Sequence, residues 1–211
     1  MNEPESIVLV VDDDDSLRRG LERLLRSVSL GVETFGSAQD FMRRPPPEGP
    51  ACLVLDMRMP GMSGLELQQG LVAAGLSLPI IFLTGHGTVP VSVRALKTGA
   101  IDFLQKPVED QLLLDTIHQA LEQDRQAKAQ QAEHTRLQRW ADTLTPRERD
   151  VFGLVVTGLF NKEIAAALGT SEKTVKIQRG RLMQKMHASS LAHLVRMADQ
   201  LGLGPSPSKP T

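Results

Sequence analysis

Short apolar runs alternate with amphipathic stretches through residues 6–115. "SIVLVV", "GVETF", "ACLVLDM", "LPIIFLT" and "IDFLQK" have the length and composition of strands. Three of them are almost unbroken apolar, the pattern of a parallel sheet covered on both faces. Helical spacings lie between them: Leu17, Leu21, Leu24 and Val28 form one stripe. Ser37 with Asp40 marks a helix start, and "PPPEGP" over 45–50 marks a loop. Five β–α units predict an α/β fold, a five-stranded doubly wound parallel sheet with right-handed crossovers.

The pattern changes after residue 115. Residues 116–143 contain no Pro or Gly and are rich in good helix formers. The stripe of Ile117 and Leu121 fades after Ala127, so the last helix of the first half is expected to run on as an exposed helical linker. Four shorter helices follow. Thr145, Pro146 and Glu148 make a capped start, and Gly158 a stop. Asn161 is expected to cap the next helix and Gly169 to end it. Thr170 or Ser171 caps the third. The fourth carries Leu191, Leu194, Val195 and Ala198 on one face. "PSPSKPT" has the composition of a disordered tail. The expected boundaries are 1–122, a linker over 123–142, a small all-α domain over 143–204, and a tail over 205–211.

Charge separates the two halves. Residues 1–120 hold 10 Lys and Arg against 16 Asp and Glu, a net of −6, while residues 141–211 hold 10 against 6, a net of +4. A polyanionic partner suits the second half. No apolar run approaches the ~20 residues of a membrane helix, and "MNEPES" lacks the apolar core of a secretory signal. The single cysteine, Cys52, sits in "CLVLD" and reads as a small buried hydrophobe. Together these predict a cytoplasmic protein with no membrane association.

In doubly wound sheets, chemistry collects beyond the carboxyl ends of the strands. Asp12 and Asp13 follow the first strand, Asp56 ends the third, Thr84 the fourth, and Lys106 the fifth. Hard carboxylate oxygens gathered there suit Mg²⁺, which offsets their mutual repulsion. Asp14 or Asp15 is expected to cap the following helix.

"VVDD" (10–13), "VLDMRMPGMSGLEL" (54–67), "FLTGHG" (82–87) and "DFLQKP" (102–107) together resemble the receiver domain of bacterial two-component response regulators. The resemblance implies that Asp56 accepts a phosphoryl group from a sensor histidine kinase. It implies Mg²⁺ binding by Asp13, Asp56 and the backbone carbonyl of Arg58, with Asp12 acting through water. Thr84 and Lys106 would contact the phosphoryl oxygens. Phe103 occupies the place of a switching aromatic, although alternation also puts it in the core. Lys106–Pro107 is a candidate cis bond. His86, two residues past Thr84, reads as a loop side chain or as an influence on water access. Carboxylate attack on phosphorus needs charge neutralisation more than a base, so no catalytic histidine is required.

In the second half Ala165, Gly169 and Val175 have the spacing of a helix-turn-helix. The helix after the turn carries Lys173, Lys176, Arg179, Arg181 and Lys185. Val175, Leu182 and Met186 face inward, leaving Lys173, Lys176, Ile177, Gly180, Arg181 and Gln184 outward. "LTPRE", "NKEIA" and "TVKIQRGRLMQKM" resemble the LuxR-type helix-turn-helix. The whole chain thus resembles a FixJ/NarL-family response regulator. The resemblance implies a non-enzymatic, phosphorylation-dependent transcription regulator that binds promoter DNA as a homodimer. RNA polymerase would be a partner if it activates. Thr174, Lys176, Ile177 and Arg179 are its implied DNA-facing residues. Gln178 and Gly180 depart from the usual pattern. A phosphatase with paired aspartates is disfavoured, because its nucleophile would follow the first strand rather than the third.

Overall fold

The structure, a computed structural model, describes residues 6–85 and 100–203. The predicted fourth helix and His86 lie outside them. Five parallel strands, β1 (Ile7–Val11), β2 (Gly31–Phe35), β3 (Ala51–Asp56), β4 (Ile80–Thr84) and β5 (Asp102–Gln105), assemble in the order β2-β1-β3-β4-β5. Alternate residues of each strand enter opposite layers. Val8, Val10, Cys52, Val54, Ile81 and Leu83 pack with Leu21 and Leu25 of α1 (Asp15–Ser27) and with Leu113, Ile117 and Leu121. Leu9, Val11, Leu53, Leu55 and Phe82 pack with Phe41 of α2 (Ala38–Met42) and Leu67 and Leu71 of α3 (Gly64–Ala73). This two-sided burial explains the unbroken apolar runs. In α1 the stripe is centred on Leu21 and Leu25. Val28 is 40 % exposed, because the helix ends at Ser27 and position 28 turns away.

α4 (Asp110–Asp142) is one continuous helix of 33 residues. The chain divides into two compact units between Lys128 and Ala129, inside this helix and past the expected boundary at 122. The reason is polar. The buried Asp124 carboxylate accepts the Ala51 N–H at 2.7 Å and the Lys128 ammonium at 2.9 Å. Lys128 also donates to the Gly49 carbonyl. The helix therefore stays fastened to the sheet after its apolar stripe fades. Leu137, also fully buried, belongs to the core of the second unit.

The second unit adds α5 (Pro146–Val155), α6 (Asn161–Ala167), α7 (Glu172–Lys185) and α8 (Leu191–Gln200). Val151, Phe152, Ile164, Val175, Leu182, Met186, Leu194 and Met197 fill its core. The predicted box at Thr145 is present: Glu148 N–H donates to Thr145 Oγ1 at 3.3 Å, and Thr145 N–H to Glu148 Oε2 at 2.8 Å. Asn161 is not a cap. It is the first helical residue of α6, and the Phe160 N–H donates to Glu163 instead. Ser171, not Thr170, caps α7. In α8 the buried set is Leu194, Met197 and Ala198. Leu191, in the first turn, is 38 % exposed.

Candidate functional site: an acidic pocket and a nucleic-acid interface

Parallel register brings the strand ends together. Val11 stands opposite Leu55, so Asp12 follows β1 beside Asp56, the last residue of β3. Thr84 ends β4, and its carbonyl accepts the Lys106 N–H at 2.7 Å. The Lys106 ammonium bridges the acids, donating to Asp12 Oδ2 at 2.6 Å and Asp56 Oδ1 at 3.1 Å. Asp12, Asp56 and Thr84 are buried, whereas Asp13 is exposed. One carboxylate oxygen from each of Asp12, Asp13 and Asp56 lies within 4.8 Å of the others. Two buried acids and one open to solvent form a hard oxygen-donor set suited to a hydrated divalent cation.

Electrostatics follow from burial. Desolvation raises the Asp56 pKa, although hydrogen bonds from Lys106 and from the Arg58 N–H act against the rise. Burial also works against the Lys106 ammonium, but Asp12 and Asp56 outweigh it and its pKa is raised. The Arg58 side chain is exposed, so its backbone is the part near Asp56. Phe103 stands opposite Phe82 and is half-buried against the α2–α3 layer. Lys106–Pro107 is cis. Burial, with the charge of Asp124, pushes the Cys52 thiol up to about 12, leaving an inert core residue.

Asp14 caps α1, accepting from the N–H groups of Ser16 and Leu17. Asp15 pairs with Arg18 and Arg19 on the surface.

On α7, Lys173, Lys176, Ile177, Gly180, Arg181 and Gln184 are all exposed, while Val175, Leu182 and Met186 are buried. Thr174 is half-buried near the cap, its hydroxyl 2.8 Å from Ser171. The helix's other two cations, which spacing leaves off that face, are committed to partners that spacing does not reveal. Arg179 donates to Asn161 Oδ1 at 3.1 Å, tying α7 to the start of α6. Lys185 donates to the buried Glu148 at 2.7 Å and to the Thr143 carbonyl at 3.0 Å. The outward charge is therefore Lys173, Lys176 and Arg181, none of them ion-paired among the described residues. Of the described helices, none is long and apolar enough to cross a membrane.

Comparison with known proteins agrees with both halves. Residues 8–118 match the response regulator receiver domain family, and residues 142–198 match the bacterial regulatory proteins of the luxR family. Nodulation protein W of Bradyrhizobium diazoefficiens is 49 % identical over 207 residues, covering 98 % of this chain and 91 % of that protein. The transcriptional regulatory protein FixJ of Rhizobium meliloti is 42 % identical over 199 residues, covering 94 % and 98 %. The solved structure of the response regulator StyR is 48 % identical, with a TM-score of 0.85 over 93 % of this chain and 99 % of that one. With a receiver domain and a LuxR-type DNA-binding domain in one chain, this protein belongs to the transcriptional response regulators of the FixJ type.

Proposed function

We propose that Asp56 takes a phosphoryl group from a phosphohistidine of a sensor histidine kinase, and that the phosphorylated chain dimerises and binds promoter DNA. It then activates transcription through RNA polymerase. The supporting observation is the Lys106 ammonium held between Asp12 and Asp56, beside exposed Asp13, in a chain whose second unit presents Lys173, Lys176 and Arg181 outward on one helix.

A carboxylate oxygen of Asp56 forms the new P–O bond as the P–N bond of the donor breaks. Thr84 and Lys106 meet the phosphoryl oxygens, Lys106 giving up its contact to Asp56. Asp13, Asp56 and the Arg58 carbonyl would hold Mg²⁺, with Asp12 beside them, and the bound ion would supply charge neutralisation for the transferring group. Asp56 is used as an acceptor, so the chain turns over no substrate beyond slow loss of its own phosphate.

Intact-mass measurement after incubation with acetyl phosphate and Mg²⁺ tests the assignment. The parent protein should gain one phosphate and Asp56→Asn none. A phosphate retained in Asp56→Asn would place the acceptor elsewhere.

A further inference from the structure

The outward face of α7 has an unusual centre. Beyond its own helical backbone, a Cβ built on Gly180 meets no atom of the described residues within 4 Å, so none of them requires glycine there. Glycine in a helix interior is nevertheless less favourable than alanine. Ile177, one turn earlier, leaves half its surface, 50 %, in water. Residues three apart lie together on one helix face, so the bare turn at Gly180 adjoins the Ile177 side chain. Exposed Lys176 and Arg181 flank this apolar spot, with Lys173 and Gln184 beyond them. Cations with no ion pair among the described residues, set around an apolar centre, fit a polyanion that also displays apolar groups. In the major groove of DNA, the thymine methyl is such a group.

We propose that Ile177 and the bare backbone of Gly180 form a saddle that seats a thymine 5-methyl group in the major groove. This rests on the DNA-binding assignment and deepens it. The flanking Lys176 and Arg181 reach past the saddle toward phosphates or guanine. The missing side chain lets the helix approach the base edges closely. Alanine at 180 would fill the seat.

Full-length protein treated with acetyl phosphate is used to select duplexes from a randomised pool. Each thymine of the selected half-site is then replaced by deoxyuridine, which removes only the methyl group. One position should lose about fourfold in affinity, the worth of a buried methyl. Ile177→Ala, assayed on the same two duplexes, should not distinguish them. Gly180→Ala should weaken binding roughly tenfold through overpacking, with an unchanged salt slope because no charge is altered. It should also melt at a higher temperature. Gly153→Ala, at an equally open and exposed glycine of α5, should raise the melting temperature and leave binding unchanged. Equal affinity for thymine and uracil at every position, or undiminished binding by Gly180→Ala, overturns the saddle while leaving DNA binding intact. Failure of the parent protein to select any duplex overturns both.

Discussion

Asp12 lies buried against Lys106, whereas Asp13, its neighbour, is exposed and makes no hydrogen bond or ion pair among the described residues. Asp14 spends its carboxylate on the first turn of α1, and Asp15 on two surface arginines. Sequence reasoning gathers these acids at one strand end but assigns the cap only to Asp14 or Asp15. Side-chain direction decides it, because only Asp14 has the extended backbone of an N-cap. Asp13→Ala removes a candidate cation ligand and relieves like-charge repulsion without disturbing the cap. Its melting temperature in EDTA should equal or exceed that of the parent, while added Mg²⁺ should stabilise it less. A clear loss of stability in EDTA would mean that Asp13 has a structural task.

At the scale of elements, α5 and α7 are joined through a buried carboxylate. Glu148 belongs to the capping box of α5 and also receives Lys185 from the last turn of α7. The Lys185 hydrogen bond, followed by that of the Thr145 N–H, holds the Glu148 pKa below its ordinary value of 4.5. A depressed carboxyl pKa contributes stability that is fully present above the unfolded value and is lost as pH falls through the folded one. The second unit should therefore keep its stability down to about pH 5 and lose it progressively below. Trp140, the only tryptophan, packs into the core of this unit, so its fluorescence follows that unfolding. Glu148→Gln should cost about 1–3 kcal/mol at neutral pH and flatten the acid dependence. An unchanged pH profile in the variant would remove Glu148 from this role.

For the whole molecule, an acidic unit and a basic unit share one helix. Phosphorylation is expected to bias receiver dimers, which place two helix-turn-helix units on half-sites about one helical turn apart. Tethering then raises affinity through effective concentration. A shift from 1:99 to 99:1 needs roughly 5.5 kcal/mol of preference for the active form, part of which dimer contacts would supply. Full-length protein should bind a two-half-site duplex tightly only when phosphorylated, and sediment then as a dimer. Single-site binding should be weak and fall steeply with salt. Equal binding with and without phosphate, by a monomer in both states, would reject this coupling.

Local pattern alone determined the order of strands and helices, the two-sided sheet, the acid edge and the inward set of α7. Each depends on period and on where the chain turns, and these are properties of neighbours in sequence. The sequence equally carried the capping box at Thr145, because its partners stand three residues apart. Tertiary structure alone decided which partners the remaining charges find. Arg179, which the family resemblance turns toward DNA, and Lys185, which spacing leaves off the outward face, are taken by Asn161 and Glu148, 18 and 37 residues away. Asp124 reads as a solvated linker acid until the Ala51 N–H, 73 residues away, claims it. Such pairings have no periodic signature. They arise because a buried carboxylate or amide must find a partner wherever the fold brings one.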